Sequence, residues 1–401
     1  MPLVYLYPIF FAFLIYKEKW KDFHAIYFMI VCIFFFSGLC AVYLMKYNAE
    51  TYHELSLIAV VYHLTVLAMI FISVRGIETH RNHSLEQTSD TIIYPLTYFI
   101  VTISLIHIFT NIQDVSLDVI QDDVVGLRRS LREERGNSNI FIRYVDDYAK
   151  KLSIVPLVLT FYFMKFHPQK KTLIFVLLFC SMGHAFVSLK FAGREYIIKY
   201  LFVLTCVWHM MKNNLTTSWS KFMKWFFIMV TILSISIFIF ISVLRFDDGV
   251  SGSTQDALVS YLGQGLLVFS DVFEEFPSGI FDKHGTMYFS FFAGSASSVY
   301  NLNDLVYTSV SLNAFPTIIG SWIQDCGILW TTVIVAIFSY IISLVKRLTY
   351  YNVFILIYIA FICEFLFSLP FFFSDAFTGS RVFSLLFIIV LDNYSRKKTI
   401  I

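Results

Sequence analysis

Arg194 in the run FAGREYIIKYLF, Arg245 in ISVLRFDDGVSG and Arg381 in SDAFTGSRVFSLLF each stand at the mouth of a long apolar segment. A guanidinium is planar, offers five N–H donors and stays charged at every relevant pH, so it suits a phosphate. At the centre of a membrane helix an arginine costs about 2.5–3.5 kcal/mol on insertion scales, and less near the interface. Each arginine taken alone reads as an anchor snorkelling to headgroups or as an anion ligand. Three of them on one side of a membrane can converge on one doubly charged pyrophosphate. Gly193 would then let the backbone come close, and Glu195 would orient Arg194 or simply be solvated.

A second group lies later in the chain. The run SLNAFPTIIGSWIQDCGILW (311–330) carries Asn313, Thr317, Asp325 and Gly327. Asp325 is expected a turn or two inside a helix, where a carboxylate needs a counter-ion or a wetted helix start. Glu274, Glu275, Asp282 and His284 are candidates for a general base, which must reach an acceptor hydroxyl; each also reads as ordinary loop polarity. Asp247 and Asp248 are a bare acidic pair, weak evidence for a cation. His63, His107, His184 and Glu364 fall inside apolar segments. They are the groups an ion-coupled transporter needs as a relay. No obvious pair spacing links them, so each histidine is expected to bond a neighbouring helix, and Glu364 to partner an arginine such as Arg381 or line a groove. No nucleotide-binding loop, GxSxG elbow or HExxH motif is present. The six cysteines have no metal-type spacing and read as packing residues. No cofactor and no metal are expected, and the chemistry must draw on an already activated substrate.

The elements that position these residues follow from composition. Hydrophobic residues make up 58% of the chain and charged residues 14%, against about 25% charged in a soluble domain. Mean hydropathy is +0.70. The apolar runs are continuous rather than alternating, which excludes a membrane barrel and predicts an all-α polytopic bundle. A net charge of +2 with no basic face argues against nucleic acid. The segments run 3–16, 23–45, 55–74, 91–110, 152–166, 172–189, 196–211, 225–244, 318–345, 352–373 and 381–392. The N-terminus lacks a basic region and a cleavage site, and reads as a first helix rather than a cleaved signal.

Alternate connections hold sixteen of the thirty basic residues, including Lys17, Lys19, Lys21, Arg75, Arg81, Lys346 and Arg347. The bias orients the chain with its N-terminus outside and its C-terminus in the cytoplasm. The organisation is then transmembrane helices 1–4 over 1–110, a first long outer loop over 111–151, and helices 5–8 over 152–244. A large outer loop follows over 245–317, then helices 9–11 and the tail over 318–401. The first loop, with QDDVVGLRRSLREERG, reads as a solvated amphipathic helix. The second is rich in aromatics such as Tyr261, Phe269 and Phe273, which argues against disorder and for short helices folded back on the bundle.

GRE at a short outer turn, a late loop opening with YLGQGLLVF and the closing NAFPTIIGSWIQDCG together resemble the bacterial Wzy-type oligosaccharide repeat-unit polymerases of O-antigen and capsule synthesis. Members of that family often carry an arginine in a small-residue turn, as at Arg194. They often close the large periplasmic loop with an Asn, a Thr and an Asp-Phe-Gly cluster. Asn313, Thr317, Asp325 and Gly327 match, while Cys326 stands where the aromatic is expected. The resemblance spans the whole topology and implies a GT-C-like fold of about eleven inner-membrane helices. It implies transfer of a glycan from undecaprenyl pyrophosphate to a sugar hydroxyl on a second lipid-linked unit, without a metal. Its partners would be the lipid-linked oligosaccharides, membrane lipid and a separate chain-length regulator. Arg194, Arg245 and Arg381 would hold the pyrophosphate, and Asp325 would position an arginine or the acceptor. Glu195, Asn313, Thr317, Glu274, Glu275 and His284 would line the substrate site.

Other readings stay open at this point. An O-antigen ligase shares the topology but tends to carry a histidine motif in the large loop, where only His284 is available. A flippase or transporter of the lipid-linked unit would need a polar central cavity. A scaffold without chemistry would tolerate loss of the arginines.

Overall fold

The computed structural model describes residues 3–19, 24–47, 54–78, 84–112, 140–189, 195–246, 254–279, 317–348, 351–370 and 388–392. Among these the chain is helical and has no strand. A 3-10 turn, Leu3–Tyr5, leads into α1 (Leu6–Lys19), followed by α2 (Ala25–Tyr47), α3 (Leu57–Val74) and α4 (Asp90–Ile112). Next come α5 (Ile140–Lys151), α6 (Val155–Phe166), α7 (Lys171–Leu189) and α8 (Glu195–Met211). The last four are α9 (Thr217–Phe246), α10 (Thr254–Glu275), α11 (Ile318–Arg347) and α12 (Val353–Ser368).

Six stretches, in α2, α3, α4, α7, α9 and α11, are long and apolar enough to cross a membrane, at 18 to 23 residues each. At 1.5 Å per residue they reach about 27–35 Å, against a hydrocarbon core of about 30 Å. The protein is a helical membrane protein. The shorter apolar helices are α6 and α12. Every residue of α6 from Val155 to Met164 is buried. Continuous apolarity there answers to protein on all sides rather than to lipid, so a core helix and a span read alike in sequence.

The chain forms two compact units. Unit 1 is Met1–Thr79, Gln255–Leu348 and Phe365–Gly379; unit 2 is His80–Thr254, Thr349–Glu364 and Ser380–Ile401.

In unit 1, α1, α2 and α3 join through Phe11, Phe34 and Phe71, whose ring centroids lie 5.2–6.0 Å apart. The late polar stretch contributes α10, which packs on α2 and α3. Gly263 lies so close to α2 that a Cβ would sit 2.5 Å from the Ala41 nitrogen, and Ser37 Oγ donates to the Leu262 carbonyl at 2.7 Å. Leu266, Leu267, Phe269 and Val272 of α10 are all buried. What the sequence presents as outer-loop aromatics thus includes core residues of a 22-residue helix. His63 bonds a neighbouring helix as expected: the Tyr7 hydroxyl lies 3.0 Å from its Nδ1, and its ring stacks on Phe269 at 3.9 Å.

The helix α11 is two helices joined across a break at Gly327, where φ is +77°. Only glycine adopts that backbone without strain. The break removes the helical partner of the Ile328 N–H, which instead donates to the Pro277 carbonyl at 3.0 Å. A Cβ at Gly327 would lie 2.6 Å from the Ser278 backbone. Ahead of the break, Ile318, Ile319, Trp322, Ile323 and Gln324 are buried. The Ile318 N–H donates to Leu369 O at 3.2 Å, and Trp322 stacks on Phe365 at 5.7 Å.

In unit 2, α6 is the centre. The Tyr162 hydroxyl donates to Thr88 O and accepts from Thr88 N–H, both at 3.0 Å. Lys165 Nζ donates to Leu85 O at 2.7 Å and to Asn214 Oδ1 at 2.8 Å. At the opposite end of this unit, Gly183 of α7 packs on Ile108 of α4, where a Cβ would come within 2.4 Å of the isoleucine Cδ1. Such a small residue lets two membrane helices approach closely.

Candidate functional site

The close approach at Gly183 and Ile108 aligns the residues beside them, His184 and His107. His184 Nδ1 lies 3.4 Å from His107 Nε2. On the far side, His107 Nδ1 lies 2.9 Å from Asp146 Oδ1. Asp146 comes from α5, whose Val145, Asp146 and Ala149 are buried while Phe141 and Tyr144 are exposed. This is an amphipathic helix with one acid on its inner face. Asn111, one turn after His107, donates to the same Asp146 oxygen at 3.1 Å.

With Asp146 ionised and both imidazoles neutral, the network assigns the tautomers. A carboxylate can only accept, so His107 Nδ1–H donates to Asp146. His107 Nε2 then accepts from His184 Nδ1–H, across a long contact. That leaves His184 Nε2 as a lone pair, buried and without a hydrogen-bond partner among the described residues. Burial alone would push the Asp146 carboxyl up. The hydrogen bond from His107, the charge of Lys150 and the Asn111 amide outweigh it, holding the group below the usual aspartate value.

His184 lines a cavity of about 30 Å³ together with Ser181, Tyr196, Lys199, Tyr200 and Glu364, room for about one water. The Tyr196 ring meets His184 edge-on at 4.2 Å, and Lys199 Nζ sits 4.6 Å above the Tyr196 ring. Lys199 also pairs with Glu364 at 3.8 Å. His107, Asp146, His184 and Glu364 are each at most 7% exposed, so the cluster sits in low dielectric where its charges interact strongly. Chemically it is an oriented proton acceptor backed by a carboxylate, beside a cation and a second carboxylate.

His107 and His184, for which no pair spacing was evident, bond each other across neighbouring helices, as each histidine was expected to bond a neighbouring helix. Glu364, expected to partner an arginine such as Arg381 or to line a groove, lines this cavity and pairs with Lys199. Asp146 was missed because it lies in a stretch dominated by charge. Its signal was the spacing of Ile142, Val145 and Ala149, an apolar stripe beside which Asp146 sits.

Of the residues singled out for phosphate or substrate, Arg194, Arg381, Asn313 and His284 lie outside the described residues. Glu195 opens α8 and Arg245 lies in the last turn of α9, with only their backbone described. Asp325 lies two turns into α11, as expected, but two residues before the break. The Thr317 hydroxyl caps α11, accepting from Gly320 N–H at 3.2 Å. Glu274 and Glu275 end α10. The turn after them meets Gly327, so within unit 1 the chain segments carrying Glu274, Glu275 and Asp325 converge. No group of three or more metal-type ligands occurs among the described residues.

Comparison with protein-family profiles, curated protein sequences and solved structures finds no match to this chain.

Proposed function

We propose that the protein is a membrane glycosyltransferase that joins lipid-pyrophosphate-linked oligosaccharide repeat units at the periplasmic face of the bacterial inner membrane. The observation that supports this best is the His184 Nε2 lone pair, backed by His107 and Asp146, near the end of α7 and nine residues ahead of Gly193 in the sequence. On the positive-inside orientation, the α4, α7 and α12 ends carrying His107, His184 and Glu364 face outward with Arg194.

The reaction needs a proton acceptor and an anion holder. An acceptor sugar hydroxyl attacks C1 of the donor glycan, the bond from C1 to pyrophosphate oxygen breaks, and the electron pair leaves with undecaprenyl pyrophosphate. The hydroxyl proton passes to His184 Nε2, and the resulting imidazolium is stabilised through His107 by Asp146. Arg194, with Arg245 and Arg381, meets the charge that grows on the pyrophosphate.

The same buried relay favours one other reading, a proton-coupled transporter of the lipid-linked unit. Deleting the gene and displaying the surface glycan on a gel separates them. Collapse to a single repeat unit, rescued by wild type but not by Arg194→Ala or His184→Gln at equal protein level, supports the polymerase. Loss of all surface glycan supports the transporter. Full rescue by both variants overturns the reading.

A further inference from the structure

At the end of unit 1 remote from α10, a cavity of about 620 Å³ opens among α1, α2, α3 and α11. Three cations line it: Lys17, Arg75 and Lys346. The lining carboxylate is Glu18, and both its oxygens are engaged. Oε2 accepts from Arg75 Nε at 2.9 Å, and Oε1 accepts from the His24 N–H at 3.1 Å. Nearby Glu78 is buried and accepts the Ile26 N–H. Among the described lining residues, three cations face one carboxylate.

The donors are arranged as well as present. Glu18 grips Arg75 by Nε alone, which holds the guanidinium plane and leaves its two terminal nitrogens unengaged among the described residues. Lys346 Nζ donates to Ser73 O and Arg75 O at 3.4 and 3.1 Å, closing the end of α3. Lys17 is exposed and makes no hydrogen bond or ion pair among the described residues. The remaining wall is apolar: Leu14 lines the cavity, and Ile72 is 73% exposed on the flank of a spanning helix.

We propose that this cavity binds the phosphate of an anionic phospholipid. The Arg75 fork and Lys17 take the phosphate oxygens, and the acyl chains lie along Leu14 and Ile72. A free phosphate shares the first contact but gains nothing from the apolar flank, and that distinguishes the two sources. The proposal is independent of the glycosyltransferase reading.

The test is native mass spectrometry of the full chain, delipidated in detergent and exposed to phosphatidylglycerol, phosphatidylcholine or inorganic phosphate. Wild type is expected to retain one phosphatidylglycerol in preference to phosphatidylcholine. Lys17→Gln is expected to lower that retention roughly fivefold. Arg75→Lys, which keeps a cation for Glu18 but loses the fork, is expected to lower it further. Melting temperatures of both variants in phosphatidylcholine, matched to wild type, show that the fold is intact. Equal retention by wild type and Lys17→Gln overturns the site, as does equal retention of the two lipids. Displacement of phosphatidylglycerol by millimolar inorganic phosphate assigns the cavity to free phosphate and overturns the lipid.

Discussion

Unit 1 and unit 2 both bury polar groups, but they use them differently. In unit 1 the buried polar contacts answer mostly to backbone. Thr317 caps a helix, Pro277 O receives the N–H released at Gly327, and Lys346 closes the end of α3. In unit 2 side chains answer to side chains, from Asp146 through His107 to His184, and from Lys199 to Glu364. The first pattern satisfies groups that the bilayer leaves without water. The second links titratable side chains in series, at a cost in desolvation. On the proposed function, the contrast separates a frame from a candidate site.

The sharpest way to break that contrast is His184→Gln, which keeps a polar side chain and removes the base. We expect transfer activity to fall about 10²- to 10⁴-fold with an unchanged melting temperature, read by release of lipid pyrophosphate from vesicles holding the purified protein. Unchanged activity would make the relay another structural network. Next is Gly327→Ala. A non-glycine left-handed residue costs about 1–2 kcal/mol, and the methyl also meets the Ser278 backbone. The expected loss is about 2–4 kcal/mol in all, seen as a lower melting temperature. A stable Gly327→Ala protein would mean that the break is not a fixed joint.

Asp146→Asn sharpens the comparison from the other side. It should lower activity about tenfold or more by disturbing the His107 tautomer, while the protein folds normally. The pH dependence has a definite sign. The Asp146 carboxyl is depressed in the folded state, so its contribution to stability is complete above the ordinary aspartate pKa, near 4. It is lost as pH falls through the lower folded value. Melting of wild type should therefore be insensitive to this group from pH 5 to 8 and weaken below about pH 4, and Asp146→Asn should flatten that acid limb. The smallest effect is Thr317→Ala, expected to cost about 1 kcal/mol as a lost cap and to leave activity intact. A selective loss of activity would move Thr317 from the frame to the site.

The starts and ends of α2, α3, α4 and α7 were legible to within a few residues, because a lipid-facing helix must be apolar along its length. The inner architecture was not. Gly183 and His184 look like any small residue and histidine in an apolar run. That they face Ile108 and His107, 75 and 77 residues earlier in the sequence, is set by helix rotation, which apolarity on all sides does not encode. The break at Gly327 was equally hidden, since a glycine in a helix is tolerated and only its φ reveals the joint. The acid of the relay lay in a charged stretch where solvation is the ordinary expectation.

The joint at Gly327 also bears on how the chain can diverge. The segment 280–316 leaves from a turn held at Pro277 and returns to a helix capped at Thr317 and seated against Phe365 and Leu369. Both attachment points are secured by contacts that do not involve the segment itself. Lengthening a connection costs only about 0.6 kcal/mol per doubling. The connection between these two anchored points can therefore change in length at little cost to the helices that hold it.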